Sequence, residues 1–470
     1  MKVCKVTLII LFLFVLMSAV SAADDLNSTE DVISADIHEG EIYLDDDVIS
    51  ADIHEGEISL DDELNNSVIY ADAENGNDSN DGLSKDSPVK TINKAYDLVA
   101  DNGTIYLSDG VYDNPQLFIY KSLSIIGSNN TIIDGGNYIH KGFVFRTWSG
   151  SYFLFKNIKF MNVKTYGSVA KVIQAGVKDS TVVIENCDFI NTHLGTDDAN
   201  TPIIRISAGV TTYILNCNFI NPTMGNSKDN WAIYCMGKLT INNTKFINES
   251  YGGIFVERTS SNQIASLNIN NCTFINVTGN GAIRCYAKLN INNSSFINCR
   301  NGDAGGAICI DQGRYNKKIN HIIINCYFEN CYSTKNGGAV AVYNNAYIVN
   351  SFTLSNSSFV GCSCSDWDGF GGALHISKNT NAYLNYNVFS ECSGKGAAIH
   401  NAGNTILNNS IIKNSKIDVV TNMYGYYLGS ILNDYGTLTV ISSIFENNTC
   451  FKTWYRGTHI GTAGIYNRGT

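Results

Sequence analysis

The chain has 470 residues with 43 acidic and 32 basic side chains, which gives a formal net charge of −11. Sixteen acidic residues and no lysine or arginine lie between Asp24 and Glu63, so residues 64–470 carry a charge of about +3. Residues 64–470 are near neutral, and the acidic segment before them would repel phosphates. Nucleic acid is therefore excluded as a partner.

Residues 1–22 predict a secretory signal peptide. Lys2 and Lys5 precede the apolar run LIILFLFVLM, which is followed by the small-residue stretch SAVSA. This order is typical of a signal cut after Ala22, whereas the apolar run is short for a membrane span. No second hydrophobic segment follows in the sequence. We therefore expect a secreted protein of the extracellular cell surface, with no transmembrane segment once the signal peptide is removed.

Residues 23–67 form an acidic leader that contains a tandem repeat, DVISADIHEGEIYLDD at 31–46 and DVISADIHEGEISLDD at 47–62. A segment with charge of one sign repels itself and buries little apolar surface, which predicts a disordered spacer. Calcium binding is the alternative for so many carboxylates, but their spacing is not that of an ordered calcium loop.

Residues 68–112 predict the N-terminal cap of a repeat structure. Ser87 and Pro88 are typical of a helix start. The apolar face of this helix would consist of Ile92, Ala95, Leu98 and Val99. Such a helix would cover the unpaired strand edge of the first coil. The nearby NDSNDG at 77–82 resembles a calcium loop but has no acid at the closing position, so we interpret it as a turn.

Residues 113–470 contain a six-residue motif, or phrase, that recurs at intervals of roughly 28 residues. Examples are NCDFIN at 186–191, NCNFIN at 216–221 and NCTFIN at 271–276. The anchor positions of the phrase are Phe160, Phe189, Phe219, Phe246, Phe274, Phe296, Phe328, Phe359, Phe389, Ile412 and Phe445. A period of this length indicates a solenoid of stacked coils, here about 12, and the short β-prone runs make those coils β-strands.

Stacking at strand spacing would place the same position of each repeat above the last. Phe would then stack on Phe inside the solenoid, and the flanking Asn residues would stack at the bends, where their amides can bond one another. The alternative is that Asn only marks turns, but turn preference alone would not fix its spacing from the Phe.

A second phrase alternates with the first, as in GGAICI at 305–310, GGAVAV at 337–342 and GGALHI at 371–376. Gly allows a tight bend there, and Ala fits where walls come close. His375 and His400 fall in the same slot of adjacent coils. A paired-imidazole metal site is one interpretation, but Cys309 and Ala341 in that slot favour simple stacking, and we predict no metal site.

The 14 cysteines of this exported chain suggest disulfides at first sight. Two sets occupy fixed positions of the repeat, two residues before the Phe or three after it. They are Cys187, Cys217, Cys272 and Cys326, and Cys299, Cys331, Cys362 and Cys392. Thr or Ser fills these positions in other repeats, so we expect mostly reduced, stacked thiols. Bridges between neighbouring coils stay open as an alternative, because a strand spacing of about 4.8 Å suits a disulfide.

Both phrases and the opening IYADAENGNDSNDGLSKDSPVKTINKAYDLVADNGTIYLSDGVY at 69–112 resemble the archaeal adhesin-like proteins. The bodies of those proteins are right-handed parallel β-helix repeats of the pectate-lyase-like superfamily. The resemblance spans about residues 69–470 and implies an all-β fold, a right-handed parallel β-helix solenoid with an N-terminal capping α-helix. The chain stops at GIYNRGT, where another coil would begin, so we expect a truncated or uncapped helix over 113–470.

One fold of this kind serves lyases, hydrolases and adhesins, so function depends on the site. Asp197 and Asp198 stand alone, since the Gly-His-Gly and Arg-x-Lys signatures of the hydrolases are missing. The best enzyme-like patch is SDWDGFGG at 365–372, with Asp366, Trp367 and Asp368. Asp303, Asp311, Arg314 and Lys317 would lie about two coils away.

We expect no catalytic residues and a role as a secreted adhesin-like or structural protein that attaches to a cell-surface glycan or protein receptor. Trp367, Asp366, Asp368 and Trp231 are the candidates for binding. No cofactor is expected, with calcium as the weaker alternative. The competing hypothesis is a polysaccharide lyase or glycoside hydrolase, which would require the acids of the patch to converge on one groove.

Overall fold

Three long parallel sheets, with strands between Val68 and Asn467, form a right-handed parallel β-helix. The structure, a computed structural model, describes residues 66–136, 140–141, 144–166, 172–194, 202–222, 231–250, 252–257, 265–311, 318–344, 348–365, 369–418, 427–451 and 460–470. The signal peptide and nearly all of the acidic leader lie outside these residues.

Each coil contributes one strand to each sheet, in the order A, B, C. Sheet A has 14 strands: Val68–Ala71, Gly103–Leu107, Leu123–Ile126, Tyr152–Lys156, Thr181–Glu185, Thr211–Leu215, Lys238–Asn242, Ser266–Asn270, Lys288–Asn292, Asn320–Ile324, Asn350–Ser355, Thr380–Asn385, Asn404–Asn408 and Thr437–Ile441. Sheet B has 13: Gly110–Asp113, Thr131–Asp134, Lys159–Met161, Asp188–Ile190, Asn218–Ile220, Lys245–Ile247, Thr273–Ile275, Ser295–Ile297, Tyr327–Glu329, Ser358–Val360, Val388–Ser390, Ile411–Lys413 and Ile444–Glu446. Sheet C has 13: Leu117–Ile119, Phe145–Thr147, Ile173–Ala175, Ile204–Ile206, Ile233–Cys235, Ile254–Val256, Ile283–Cys285, Ile308–Asp311, Val340–Tyr343, Leu374–Ile376, Ile399–Asn401, Ile431–Asn433 and Ile465–Asn467.

Four smaller parallel sheets form where the segments that connect a sheet B strand to the next sheet C strand run side by side in neighbouring coils. Their strands are His140–Lys141, Lys164–Tyr166 and His193–Leu194; Arg300–Asn301, Tyr332–Ser333 and Ser363–Cys364; Lys416–Asp418 and Thr449–Phe451; and Tyr427–Leu428 and Ile460–Gly461. No helix among the described residues is long and apolar enough to cross a bilayer.

The capping helix spans Ile92–Leu98 and packs against the first two strands of sheet A. It starts later than the Ser87 and Pro88 pair predicts, because Thr91 is the N-cap, and its hydroxyl accepts a hydrogen bond from Lys94 N at 3.1 Å. The carboxylate of Asp78 accepts hydrogen bonds from the backbone of Lys90 and Thr91 at 2.8 and 2.9 Å. The 77–82 loop therefore serves to hold the start of the helix.

The interior contains the phenylalanine stack that the repeat predicts. From Phe160 to Phe389, successive rings lie 4.5–5.1 Å apart between centroids and are nearly parallel, and their side chains are fully buried. Offset-stacked rings at this spacing are favourable beyond the area they bury.

The asparagines flanking each Phe have two structural roles. Asn243 and Asn271, three residues before the Phe, have φ of 52°, and Asn248 and Asn276, two residues after it, have φ of 57° and 54°. Asn is one of the few side chains that tolerate this left-handed conformation. The same amides bond along the stack, for example from Asn271 Nδ2 to Asn243 Oδ1 at 2.7 Å and from Asn276 Nδ2 to Asn248 Oδ1 at 2.9 Å. Turn preference and ladder formation therefore act together.

The two sets of repeat cysteines are buried, free thiols. In the second set, Cys331 Sγ donates to Phe296 O at 3.5 Å and Cys362 Sγ donates to Phe328 O at 3.7 Å, so each thiol bonds the coil before it. Burial raises the pKa of these two thiols well above its usual value. The thiols are therefore stacked and hydrogen-bonded without a bridge, and their reduced state stays a prediction.

Candidate functional site

The outer face of sheet C carries a column of aromatic, arginine and histidine side chains. In several of its three-residue strands the first and third side chains are buried in the core and the middle one points outwards and is partly exposed. In Ile233–Cys235, Leu374–Ile376, Ile399–Asn401 and Ile431–Asn433 the middle side chain is buried as well. Strand register aligns these middle residues in one column, which we call the sheet C column. Its members are Phe118, Arg146, Gln174, Arg205, Tyr234, Phe255, Arg284, Cys309, Ala341, His375, His400, Leu432 and Tyr466.

An exposed aromatic cluster occupies the N-terminal end of this column, and we call it the aromatic platform. It consists of Phe118, Tyr120, Arg146 and Trp148. Phe118 is 39% exposed, Tyr120 is 56% exposed and Trp148 is 53% exposed. The Trp148 ring lies 5.9 Å from Phe118 and 6.3 Å from Tyr120, and the Arg146 guanidinium lies 4.6 Å from the Trp148 centroid. A cluster of exposed rings held by a cation is typical of a ligand-binding surface.

The backbone of the platform is fixed by hydrogen bonds to neighbouring elements. Tyr120 N donates to the Tyr96 hydroxyl at 2.8 Å, and Trp148 N donates to Ile119 O at 2.7 Å. Tyr96 belongs to the capping helix, so the helix that covers the first coil also positions the platform. The rings are therefore presented on ordered backbone, which lowers the entropy lost when a ligand binds.

The column continues with further arginine and aromatic pairs. The Arg205 guanidinium lies 4.9 Å from the Tyr234 ring, and Tyr234 contacts Phe255 at 5.3 Å. The Arg284 Nε donates to the Tyr286 hydroxyl at 3.1 Å. At about 4.8 Å per strand, Arg146 and Arg205 are separated by roughly 10 Å, and Arg205 and Arg284 by roughly 14 Å. The outer face therefore carries a line of cations.

Carboxylates meet this line near its middle. Asp303 pairs with Lys335 Nζ at 2.6 Å and lies 3.9 Å from an Arg284 nitrogen. Cys309 lies between Arg284 and Ala341 in the column. Burial is the main cause that raises the pKa of Cys309 to about 12, and the nearby carboxylates of Asp303 and Asp311 raise it further. Asp303 and Asp311 therefore both lie near Cys309. The convergence that the enzyme hypothesis requires stays a prediction, because Asp366, Asp368 and Arg314 lie outside the described residues.

The C-terminal part of the column contains the stacked histidines. His375 and His400 are each 5% exposed, their rings are 4.8 Å apart, and their Nδ1 atoms are 2.8 Å apart. His400 Nε2 lies 3.8 Å from the carboxylate of Asp434, which pairs with Arg468 at 3.1 Å. The neighbouring His400, together with Arg468, holds the pKa of Asp434 below its usual value. His375 and His400 therefore stack in one slot of adjacent coils, as the sequence predicts. Asp434 lies beside His400, which the sequence did not indicate.

The residues that the sequence singled out are placed as follows. Asp366, Trp367 and Asp368 lie outside the described residues, as do Arg314, Lys317, Asp197 and Asp198. Trp231 is 5% exposed, because its ring stacks on Phe255 at 5.3 Å. Its role in binding stays a prediction, but its ring is far less accessible than that of Trp148. Among the described residues, no three His, Cys, Asp or Glu side chains come together as a metal site.

Comparison with known proteins gives similarities of fold. No protein-family model matches the chain, and no curated protein matches it. A mannuronic-acid-specific polysaccharide family 6 lyase from the human gut microbiota is 12% identical, with a TM-score of 0.43, covering 77% of this chain and 86% of the lyase. The surface adhesin PfbA of Streptococcus pneumoniae is 13% identical, with a TM-score of 0.38 and coverage of 74% and 83%. The A-module of the Azotobacter vinelandii mannuronan C-5 epimerase AlgE4 is 14% identical, with a TM-score of 0.38 and coverage of 77% and 90%.

The strand topology confirms the predicted parallel β-helix, and nothing in the comparisons supports an archaeal origin. They also correct one expectation. The expectation that the chain is not an enzyme is corrected: the solved structures similar in fold include a lyase and an epimerase beside the adhesin, so the fold gives no ground to exclude catalysis. The missing hydrolase signatures exclude one kind of active site only.

Proposed function

We propose that the protein is a polysaccharide-active protein that holds an acidic polysaccharide along the outer face of sheet C. The observation that carries this proposal is the aromatic platform, in which the Arg146 guanidinium lies near the exposed rings of Phe118 and Trp148, with the exposed Tyr120 ring beside them. The apolar C–H faces of sugar rings pack on aromatic faces, and a guanidinium pairs with carboxylates in two-point geometry. A surface with both groups therefore suits a polymer of uronate sugars.

The shape of the column supports a polymeric ligand. Arg146, Arg205 and Arg284 follow one another along a straight, in-register line of strands. A polymer with a carboxylate on every sugar can contact several of these cations at once, and linked contacts raise the overall affinity. A single sugar would contact the platform alone.

Secretion and surface display follow from the predicted signal peptide and remain part of the proposal. A glycan of the cell envelope would be the partner, and attachment without turnover would use the same surface. The lyase or hydrolase hypothesis and the adhesin hypothesis therefore agree on where the polysaccharide lies, and they differ in whether it is cleaved.

The test is a binding titration of the full chain with polymannuronate and polygalacturonate, with the neutral polymer dextran for comparison. We expect binding to the uronates that weakens as salt rises, because ion pairs at an exposed surface are screened. Trp148→Ala should weaken binding by about 2 kcal/mol, or roughly 30-fold in Kd, as expected for a central aromatic contact.

The matched control is Tyr383→Ala, which removes a ring that is 42% exposed on sheet A, away from the platform. It should leave the affinity unchanged. Equal losses in both variants, or equal binding of dextran and the uronates, would contradict the proposal.

A further inference from the structure

An apolar stripe runs along the outer face of sheet B. In its strands from Lys159–Met161 to Ser295–Ile297 the central phenylalanine is buried, and the side chains on either side of it point outwards. The residue after each phenylalanine is partly exposed and lies in register with its equivalent in the next coil. These residues, which we call the sheet B stripe, are Met161, Ile190, Ile220, Ile247, Ile275 and Ile297.

Contact with solvent alone does not account for isoleucine at these positions. In the coil that contains Ile247, the strand of sheet A points Lys238, Thr240 and Asn242 outwards. Sheet B keeps an apolar side chain at the outward position of the stripe through six successive coils. A contiguous apolar patch on a surface is typical of an interaction site.

Two asparagine ladders border the stripe. Asn271 bonds to Asn243 on the side that precedes each phenylalanine, and Asn276 bonds to Asn248 on the side that follows it. A ladder bond in each direction uses one amide N–H and one oxygen lone pair, and every amide has a second of each. An apolar centre with a polar rim is the usual anatomy of a protein interface. Because amides both donate and accept, such a rim can pair with an identical rim.

Charged residues are placed symmetrically beside the stripe. The outward residues that precede the phenylalanine in three successive coils are Asp188, Asn218 and Lys245. Asn218 Nδ2 donates to Asp188 Oδ1 at 2.7 Å, and Lys245 is exposed. An acid and a base therefore lie one coil on either side of Asn218, about 10 Å apart at strand spacing. A two-fold axis at Asn218 would set each of them opposite its counter-ion in a second copy.

We propose that the sheet B stripe is the interface of a homodimer, in which two copies pack face to face with their solenoid axes antiparallel. The two-fold axis lies between the sheets, across the solenoid at Ile220, so that each outward column faces the same column of the second copy. Ile190 then faces Ile247 of the second copy, and Met161 faces its Ile275. The Asp188 and Lys245 pair forms twice.

The charges favour this register over its neighbours. A shift of one coil in one direction sets Lys159 opposite Lys245 of the second copy, which places like charges together. A shift in the other direction sets Asp188 opposite Thr273 and loses the ion pair. Charge patterns of this kind select one arrangement of partners against others.

The size of the face indicates a weak dimer. Nine strands of sheet B overlap in this register, from Gly110–Asp113 to Tyr327–Glu329. At strand spacing they span about 38 Å, which buries at most roughly 600 Å² per copy between the ladders, near the lower limit for specific interfaces. At the ends, Val111 faces Tyr327, and Asp113 faces Glu329, where like charges oppose association. We therefore expect a reversible dimer with a Kd on the order of tens of micromolar.

The test is sedimentation velocity of the full chain from about 5 to 500 µM. The natural protein should shift from monomer to dimer across this range. Ile247→Lys places an ammonium group opposite Ile190 in the apolar centre and should raise the Kd by at least about 100-fold. The side chain lies on the surface, so the circular dichroism spectrum should be unchanged.

Charge exchange tests the register. Lys245→Glu and Asp188→Lys should each raise the Kd by about tenfold, because attraction across the axis becomes repulsion. The two substitutions together should restore the Kd to within about threefold of the natural value, since the reversed pair attracts again. Lys238→Glu is the matched control, because this exposed lysine belongs to the same coil but lies on sheet A. It should leave the Kd unchanged.

A sedimentation coefficient that stays constant with concentration would overturn the proposal. A dimer that survives Ile247→Lys would show that another face associates. A combined charge variant that dimerises no more tightly than the single variants would overturn the two-fold register. Polysaccharide binding by a monomer would leave the proposed function intact, because the stripe and the aromatic platform lie on different sheets.

Discussion

Glu249 gives the sharpest test of the energetics of the core. It lies three residues after Phe246, in the inward position that Val277 and Cys299 hold in the next two coils. The side chain is 0% exposed, and neither carboxylate oxygen has a hydrogen-bond partner. Burial raises the pKa of this carboxyl well above its usual value. The protein therefore holds a carboxyl group where other coils hold an apolar or weakly polar one.

Replacing Glu249 with Leu should increase the free energy of unfolding by about 1–3 kcal/mol below pH 4.5, the cost of an unsatisfied buried polar group, and by more at pH 7. The effect depends on pH. The folded state retains a proton that the unfolded state loses above about pH 4.5. The stability of the natural protein is therefore full below that pH and falls as the pH rises towards the folded-state pKa, by at most about 1.4 kcal/mol per pH unit.

The assay is unfolding in guanidinium chloride followed by circular dichroism between pH 4 and pH 8. The quantity of interest is the difference in stability between the natural protein and each variant, because other groups titrate in both. Glu249→Gln is the matched control, since it keeps the shape and an unsatisfied amide but cannot ionise. Its stability difference should grow with pH as that of Glu249→Leu does, from a lower starting value. A difference that is flat with pH in both variants would refute the reasoning.

Three further predictions concern the ladders. Phe274→Ala opens a cavity in the ring stack and should cost about 3–5 kcal/mol of unfolding free energy, whereas the exposed Tyr383→Ala should cost less than about 0.5; equal midpoints in guanidinium chloride would contradict this. Asn271→Ala should be less stable than Asn271→Gly by about 1–2 kcal/mol, because only Gly accepts the left-handed φ once the ladder amide is lost; a more stable Ala variant would show that φ is not limiting. Thiols of the second cysteine set, such as Cys331, should react with a disulfide reagent only as the chain unfolds, because burial raises their pKa; rapid reaction in the folded protein would argue against the buried ladder.

The period of the sequence was enough to predict the fold and its interior. In-register stacking needs only that equal positions recur, and so the rings from Phe160 to Phe389 and the two cysteine sets could be placed without coordinates. The helix start was misplaced, since the cap is Thr91 held by Asp78, and a contact across 13 residues of loop is not visible as a local pattern.

The site was harder to predict, because it depends on which side chains the coils leave exposed. Phe118 and Trp148 lie in the first coils, outside the regular phrases, and nothing in their immediate sequence separates them from Trp231, which Phe255 covers in the next coil. The middle position of each sheet C strand is the signal that could have found Arg146, Arg205 and Arg284. Asp434 belongs to the turn after a strand, so its approach to His400 depends on the fold.

The most direct test of the account is hydroxyl-radical footprinting of the full chain with and without polymannuronate. We expect the polymer to protect Phe118, Tyr120 and Trp148 on the platform. Tyr383 and Tyr386, which are 42 and 61% exposed elsewhere, should react equally in both samples. Protection of Tyr383 and Tyr386 with an unprotected platform would show that the polysaccharide binds another face and would contradict the account.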